Sequence, residues 1–128
     1  MNNFLILMSG GTTPVINSTL AGILKVLKKK NTKVFSGKPG LDGALENKFI
    51  DLSNLSLTKI KHIRDMPGSQ FTGTSRLKKL NNSEIFKLKS ILSRKKISNI
   101  INIGGNGTVR QSVDLSLRLP EVNFISCP

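Results

Sequence analysis

The sequence predicts an α/β protein: a mostly parallel sheet with helices on both faces, three layers in all. Three observations carry that reading. Phe4-Leu5-Ile6-Leu7-Met8 and Ile100-Ile101-Asn102-Ile103 are short, nearly continuous apolar runs, the pattern of strands buried on both faces. Each run breaks into glycine, at Gly10-Gly11 and at Gly104-Gly105-Asn106-Gly107. Beyond each break apolar residues return at helical spacing. A repeated order of strand, glycine turn and helix calls for parallel strands joined by crossovers.

The elements follow in order. After the Phe4–Met8 strand, Ser9-Gly10-Gly11-Thr12-Thr13 leads to Pro14, which suits the first turn of a helix because its missing N–H costs nothing there. Val15, Ile16, Leu20, Ile23, Leu24 and Leu27 form an apolar stripe, so a helix is expected from about Pro14 to Lys29. Lys33-Val34-Phe35-Ser36 reads as the next strand. Gly37 to Gly43 is dense in turn residues and reads as a loop. Phe49-Ile50-Asp51-Leu52 reads as a short strand or bridge, and Leu57, Ile60 and Ile63 as one side of a short helix. Met66 to Arg76 is a polar, glycine-bearing loop ending in arginine. Ser83 is expected to cap a helix whose apolar face is Ile85, Leu88, Ile91 and Leu92. The Ile100–Ile103 strand follows, then a helix with Val109, Val113 and Leu117 on one face, then a last strand over Val122 to Ser126. No linker, internal repeat or low-complexity segment divides the chain, so residues 1–128 read as one domain or part of one.

Composition bounds the partners. The formal net charge is +13, which raises the question of nucleic acid. Against it, the cations are dispersed except for Lys28-Lys29-Lys30, Arg76 with Lys78-Lys79, and Arg94-Lys95-Lys96. The first and last of these fall at expected helix ends, where cations complement the dipole. Tyr and Trp are absent, and no recognition-helix pattern occurs. A solvated basic surface, or one that attracts phosphorylated small molecules, fits better than a nucleic-acid platform. The single cysteine, Cys127, allows no disulfide within the chain, which points to a reducing, cytoplasmic setting. No run of about 18 apolar residues occurs, so no membrane-spanning helix is expected. His62, the lone histidine, has no evident partner and reads as a surface residue.

The chemistry concentrates at the two glycine turns. A helix that begins at such a turn aims its free N–H groups and positive dipole end back at it, which favours anions and phosphates first. One Gly-Gly-x-Gly alone is better explained as a plain tight turn with no ligand. Two units of strand, glycine turn and helix in one small chain make a phosphate site more credible. Ligands in open parallel sheets sit at the carboxyl ends of the strands. If the two strands are neighbours, the turns share one crevice.

Four segments then resemble the phosphofructokinase family, in both its ATP-dependent and pyrophosphate-dependent branches. They are Ser9-Gly10-Gly11 with Pro14 and Asn17; Gly40-Leu41-Asp42-Gly43; Gly73-Thr74-Ser75-Arg76; and Ile103-Gly104-Gly105-Asn106-Gly107-Thr108. The resemblance covers essentially the whole chain and implies a Rossmann-like amino-terminal portion that binds the phosphoryl donor. It implies that Gly11, Arg76, Leu77, Gly105, Asn106, Gly107 and Thr108 hold donor phosphates, with Thr108 able to add a hydroxyl contact. It also implies Mg2+ as cofactor and ATP or pyrophosphate as co-substrate. The reaction would phosphorylate fructose 6-phosphate at its 1-hydroxyl, in an enzyme that is a homo-oligomer at full length.

Two departures bear on that expectation. Asn106 stands where the family carries a magnesium-holding aspartate, so metal binding at Asn106 should be weak and pass through water. Gly107 stands where pyrophosphate users carry a second aspartate, which leaves room for the α-phosphate of ATP and favours ATP as donor. On the first helix, Ala21 stands where the bacterial effector site has arginine, and Lys25 keeps a charge, so allosteric control is in doubt. The family's general base belongs to a segment that would follow Pro128. The chain is therefore expected to be an amino-terminal portion, inactive alone, with a non-catalytic nucleotide- or phosphate-binding role as the alternative.

Overall fold

The computed structural model describes residues 2–9, 14–66 and 79–127, with the backbone alone at 14–16 and 106. Its elements are β1 (Asn3–Met8), α1 (Pro14–Leu27) continued by a 3₁₀ turn over Lys28–Lys30, β2 (Val34–Gly37), α2 (Gly40–Leu45) and β3 (Phe49–Asp51). After these come α3 (Leu57–Arg64), α4 (Asn82–Arg94), β4 (Ile97–Ile103), α5 (Asn106–Arg118) and β5 (Asn123–Cys127). The five strands form one sheet in the order β3-β2-β1-β4-β5. All neighbours are parallel except the short edge strand β3, which runs antiparallel to β2. From β1 the chain steps outward to β2 and β3, then crosses back to β4 and β5. The direction of winding thus reverses between β1 and β4.

Strand alternation sorts the core into two layers. Ile6, Met8, Ile101 and Ile103 face α1 and α3, where they meet Leu20, Leu24, Leu27, Ile60 and Ile63. Leu5, Leu7 and Ile100 face the other way, onto α2, α4 and α5, and meet Leu41, Leu45, Leu88, Leu92, Leu115 and Leu119. Both faces of β1 and β4 are covered, which is why their sequences read as continuous apolar runs.

Several expectations are corrected. The stretch from Gly37 to Gly43 is not all loop: Gly40–Leu45 is helical, with Leu41, Ala44 and Leu45 buried. Turn residues hid it because the helix lies directly on the preceding chain. A Cβ on Gly43 would come within 2.3 Å of the Lys38 carbonyl carbon. Helix α4 is capped by Asn81, not Ser83. The Asn81 side chain accepts from the Glu84 N–H (2.8 Å), and the Asn81 N–H donates to Glu84 Oε1 (3.1 Å), a reciprocal capping box. The Val109, Val113 and Leu117 stripe on α5 points outward, Val113 being 54% and Leu117 77% exposed. The buried face is Thr108, Ser112, Leu115 and Leu119. Two of those four inward positions are hydroxyl residues, so apolar periodicity selected the wrong side.

Candidate functional site

Strands β1 and β4 are direct neighbours, in register from Leu5 opposite Ile100 to Met8 opposite Ile103. Their carboxyl ends are therefore level at the point where the winding reverses, the usual ligand crevice of such sheets, and the Gly104–Gly105 turn leaves β4 there; Gly10 and Gly11 lie outside the described residues. The ladder continues one step further: the Ser9 N–H donates to the Ile103 carbonyl (3.1 Å), and the Gly104 N–H donates to the Cys127 carbonyl (3.2 Å). These bonds fix the second turn between β1 and β5.

The turn itself is built by exclusion. At Gly104 an added Cβ would lie 2.2 Å from Thr108 Oγ1 and 2.6 Å from the Ser9 carbonyl oxygen, so only glycine fits. At Gly105 the same construction meets nothing within 4 Å. The chain is thus pressed against β1 at one glycine and open at the next. Gly105 is the N-cap of α5 in an extended conformation (φ −86°, ψ −160°), with no side-chain cap bond and no acidic residue in the first turn. Ordinary helices satisfy these orphan N–H groups with a Ser, Thr, Asp or Asn cap. Here the thirteen-residue helix begins without a side-chain cap, its positive dipole end lying at the turn.

Behind the turn runs a chain of buried polar groups. Ser9 Oγ and Thr108 Oγ1 are 2.7 Å apart. Ser112 Oγ donates to the Thr108 carbonyl (3.0 Å) and accepts from Asn102 Nδ2 (2.6 Å). All four residues are buried. This string ties the end of β1, the end of β4 and the first two turns of α5 together. Sequence reasoning missed Ser9, Asn102 and Ser112 as site-building residues. The available signal was Asn102, a polar residue interrupting a buried strand, since such a residue needs a partner.

The expected site residues are placed unevenly. Gly105, Gly107 and Thr108 lie together on the turn and the start of α5. Thr108 differs from its expected role. Its side chain is 1% exposed and engaged with Ser9, so it braces the turn from behind. Asn106 opens α5, and its side chain lies outside the described residues, as do Gly11, Arg76 and Leu77. The described chain on either side of positions 67–78 is pinned. Asn17 Nδ2 donates to the Met66 carbonyl (2.9 Å). Arg118, on the helix that starts at the turn, donates to the Leu80 carbonyl and to Asn82 Oδ1 (3.0 Å) and pairs with Asp114 (3.7 Å). His62 is exposed, as expected.

The turn does not fit a directly ligated magnesium ion. No carboxylate stands in residues 104–108, and a helix N-terminus repels cations. Among the described residues no group of three or more His, Cys, Asp or Glu side chains gathers. The arrangement suits an anion held by backbone amides.

Comparison with known proteins identifies the family. The profile of the phosphofructokinase family matches residues 3–128. The chain is 30% identical over 124 residues to a pyrophosphate–fructose 6-phosphate 1-phosphotransferase of Xanthomonas campestris, covering 94% of this chain and 28% of that relative. It is 27% identical over 104 residues to an ATP-dependent 6-phosphofructokinase of Haemophilus ducreyi, covering 80% of this chain and 31% of that one. Among solved structures, a pyrophosphate-dependent phosphofructokinase from Marinobacter aquaeolei superposes with a TM-score of 0.88 at 26% identity, over all of this chain and 33% of that one. The Pichia pastoris phosphofructokinase shares the fold (TM-score 0.81, 16% identity, 98% of this chain and 14% of that one). The chain thus spans about a third or less of the length of these relatives.

Proposed function

The chain belongs to the phosphofructokinase family, and we propose that its own part in that family's chemistry is to hold the phosphates of the phosphoryl donor. The observation that carries this is the uncapped, glycine-opened N-terminus of α5, braced against β1 at the point where the sheet reverses its winding. The reaction served is transfer of a phosphoryl group to the 1-hydroxyl of fructose 6-phosphate. Such transfer demands positioning and charge neutralisation more than covalent participation by the protein. The amides at Gly105 to Gly107 supply donors for the transferring and bridging oxygens, the Thr108 N–H being taken by the Gly105 carbonyl (3.0 Å). Gly11 offers a second backbone contact, and Arg76, with Leu77 beside it, brings a planar cation to the same phosphates. Magnesium would accompany the donor, with Asn106 holding it through water at most.

ATP is the donor this reading favours, because Gly107 places no carboxylate beside the phosphate chain. Pyrophosphate is the second reading, favoured by the Xanthomonas and Marinobacter relatives, both described as pyrophosphate-dependent. The test is a titration of the isotopically labelled chain with ATP and with pyrophosphate, following the amide resonances of residues 104–108. Shifts there with either anion support the donor site, and the tighter of the two identifies the donor. If neither anion moves those amides, the proposal fails.

A further inference from the structure

The opposite end of the sheet, where the parallel strands begin, carries a second basic feature that owes nothing to the donor site. Three segments meet there: the start of β1, the approach to β2 and the link from α4 to β4. They enclose a groove of about 570 Å³ whose lining includes Lys33, Arg94, Lys95 and Lys96 and no carboxylate. In sequence, Lys33 stands apart from Arg94-Lys95-Lys96, and helix-dipole complementarity accounts only for the latter cluster.

The fold holds the two sets of cations together. The side chain of Asn3 donates through Nδ2 to the Lys95 carbonyl (2.9 Å) and accepts at Oδ1 from the Lys33 N–H (3.3 Å), so one amide staples the two basic segments. The Lys95 ammonium is fixed 4.9 Å from the Phe35 ring centroid and 4.8 Å from that of Phe49. Among the described residues, no carboxylate forms an ion pair with Lys33, Arg94 or Lys96. Thr32, also in the lining, has a buried Oγ1 without a hydrogen-bond partner. A neighbouring hollow shares Thr32 and Lys33 but contains the Asp51 carboxylate, which accepts from the Ser53 N–H, and is the poorer anion site. Four cationic residues line the groove with no carboxylate among the described lining residues, and a bound multivalent anion relieves their mutual repulsion. A buried hydroxyl lacking a partner adds a directional contact.

We propose that this groove binds a di- or triphosphate group, at a site separate from the Gly104–Gly105 turn by the length of the sheet. The group could belong to free polyphosphate or to a nucleotide, for which Phe35 offers an apolar wall. The experiment titrates the labelled 128-residue chain with sodium tripolyphosphate and with ADP, reading the amides of Thr32, Lys33 and Lys96. Both ligands should shift them, and Lys33→Gln with Lys96→Gln, two exposed positions, should weaken that response roughly tenfold or more through loss of two charge-assisted contacts. Equal affinities mean that phosphate alone is recognised. An advantage of ADP that Phe35→Leu abolishes means that the base rests on the ring. The proposal is overturned if shifts are confined to residues 104–108, if the double variant binds as well as the parent, or if only an oligonucleotide produces a response. Because the two sets of amides are read separately, failure here leaves the donor site standing, and failure there leaves this groove standing.

Discussion

Removing the hydroxyl of Thr108 tests whether it braces the turn from behind. Thr108→Val keeps the side chain's shape and deletes only the oxygen 2.7 Å from Ser9 Oγ. Ser9 is then left with a buried hydroxyl facing a methyl group, which costs about 1–3 kcal/mol. Ser9→Ala should cost a similar amount, because it strands Thr108 Oγ1 at a residue only 1% exposed. The double variant removes both partners, so its loss should fall short of the sum by about 1 kcal/mol or more. Thr108→Ser keeps the bond and loses one methyl, so it should cost only about 0.8 kcal/mol. Urea unfolding monitored by circular dichroism reads all four, with midpoints compared at constant slope. Losses that add within about 0.5 kcal/mol would show that the two hydroxyls are not coupled, and the brace would be wrong. A Thr108→Val variant of unchanged stability that no longer binds a phosphate anion would restore Thr108 to the ligand side of the turn.

The remaining predictions follow from the same geometry. Gly104→Ala should destabilise by roughly 1–3 kcal/mol, since backbone and hydroxyl atoms already occupy its Cβ position, whereas Gly105→Ala should cost well under 1 kcal/mol; parallel urea melts decide it. Gly107→Asp should raise thermal stability by about 0.3–1 kcal/mol through the helix dipole while lowering affinity for ATP more than for pyrophosphate, and unchanged ATP binding would defeat the steric argument for the donor. Asn81→Ala should cost about 1 kcal/mol and Ser83→Ala almost nothing, which separates the observed cap from the expected one. Leu117→Glu should lie within about 0.5 kcal/mol of the parent, and Leu115→Ala should lose about 2–5 kcal/mol, as their opposite exposures require.

What the sequence disclosed divides along physical lines. Strands β1 and β4 were legible because burial on both faces demands an unbroken apolar run, and glycine after such a run has few other uses. Helices α1 and α4 were legible through stripes wide enough to face a whole layer of core. The helix of the site was legible in place but not in orientation. Its inward face near the turn has to meet Ser9 and Asn102, so it carries Thr108 and Ser112 where a hydrophobicity pattern looks for leucine. Adjacency of β1 and β4 is not readable from the sequence, because strand order depends on which crossover packs where. Only the register from Leu5–Ile100 to Met8–Ile103 shows the carboxyl ends of the two strands side by side.

The same buried polar string explains why the turn can stay uncapped. A helix N-terminus without a side-chain cap, in a segment opened by two glycines, would ordinarily fray, since each missing contact costs about 1 kcal/mol. Here the stabilisation comes from the far side of the helix. Ser9 grips Thr108, and Ser112 grips both the Thr108 carbonyl and Asn102, so the first two turns are held to β1 and β4 by contacts that leave the terminal amides untouched. Holding the turn from behind separates stability from ligand contact, and the two should respond differently to substitution. Changes along the string should lower the unfolding midpoint and loosen the turn as a unit. A side chain added at Gly105, which faces open space, should leave the midpoint nearly unchanged and obstruct an incoming phosphate.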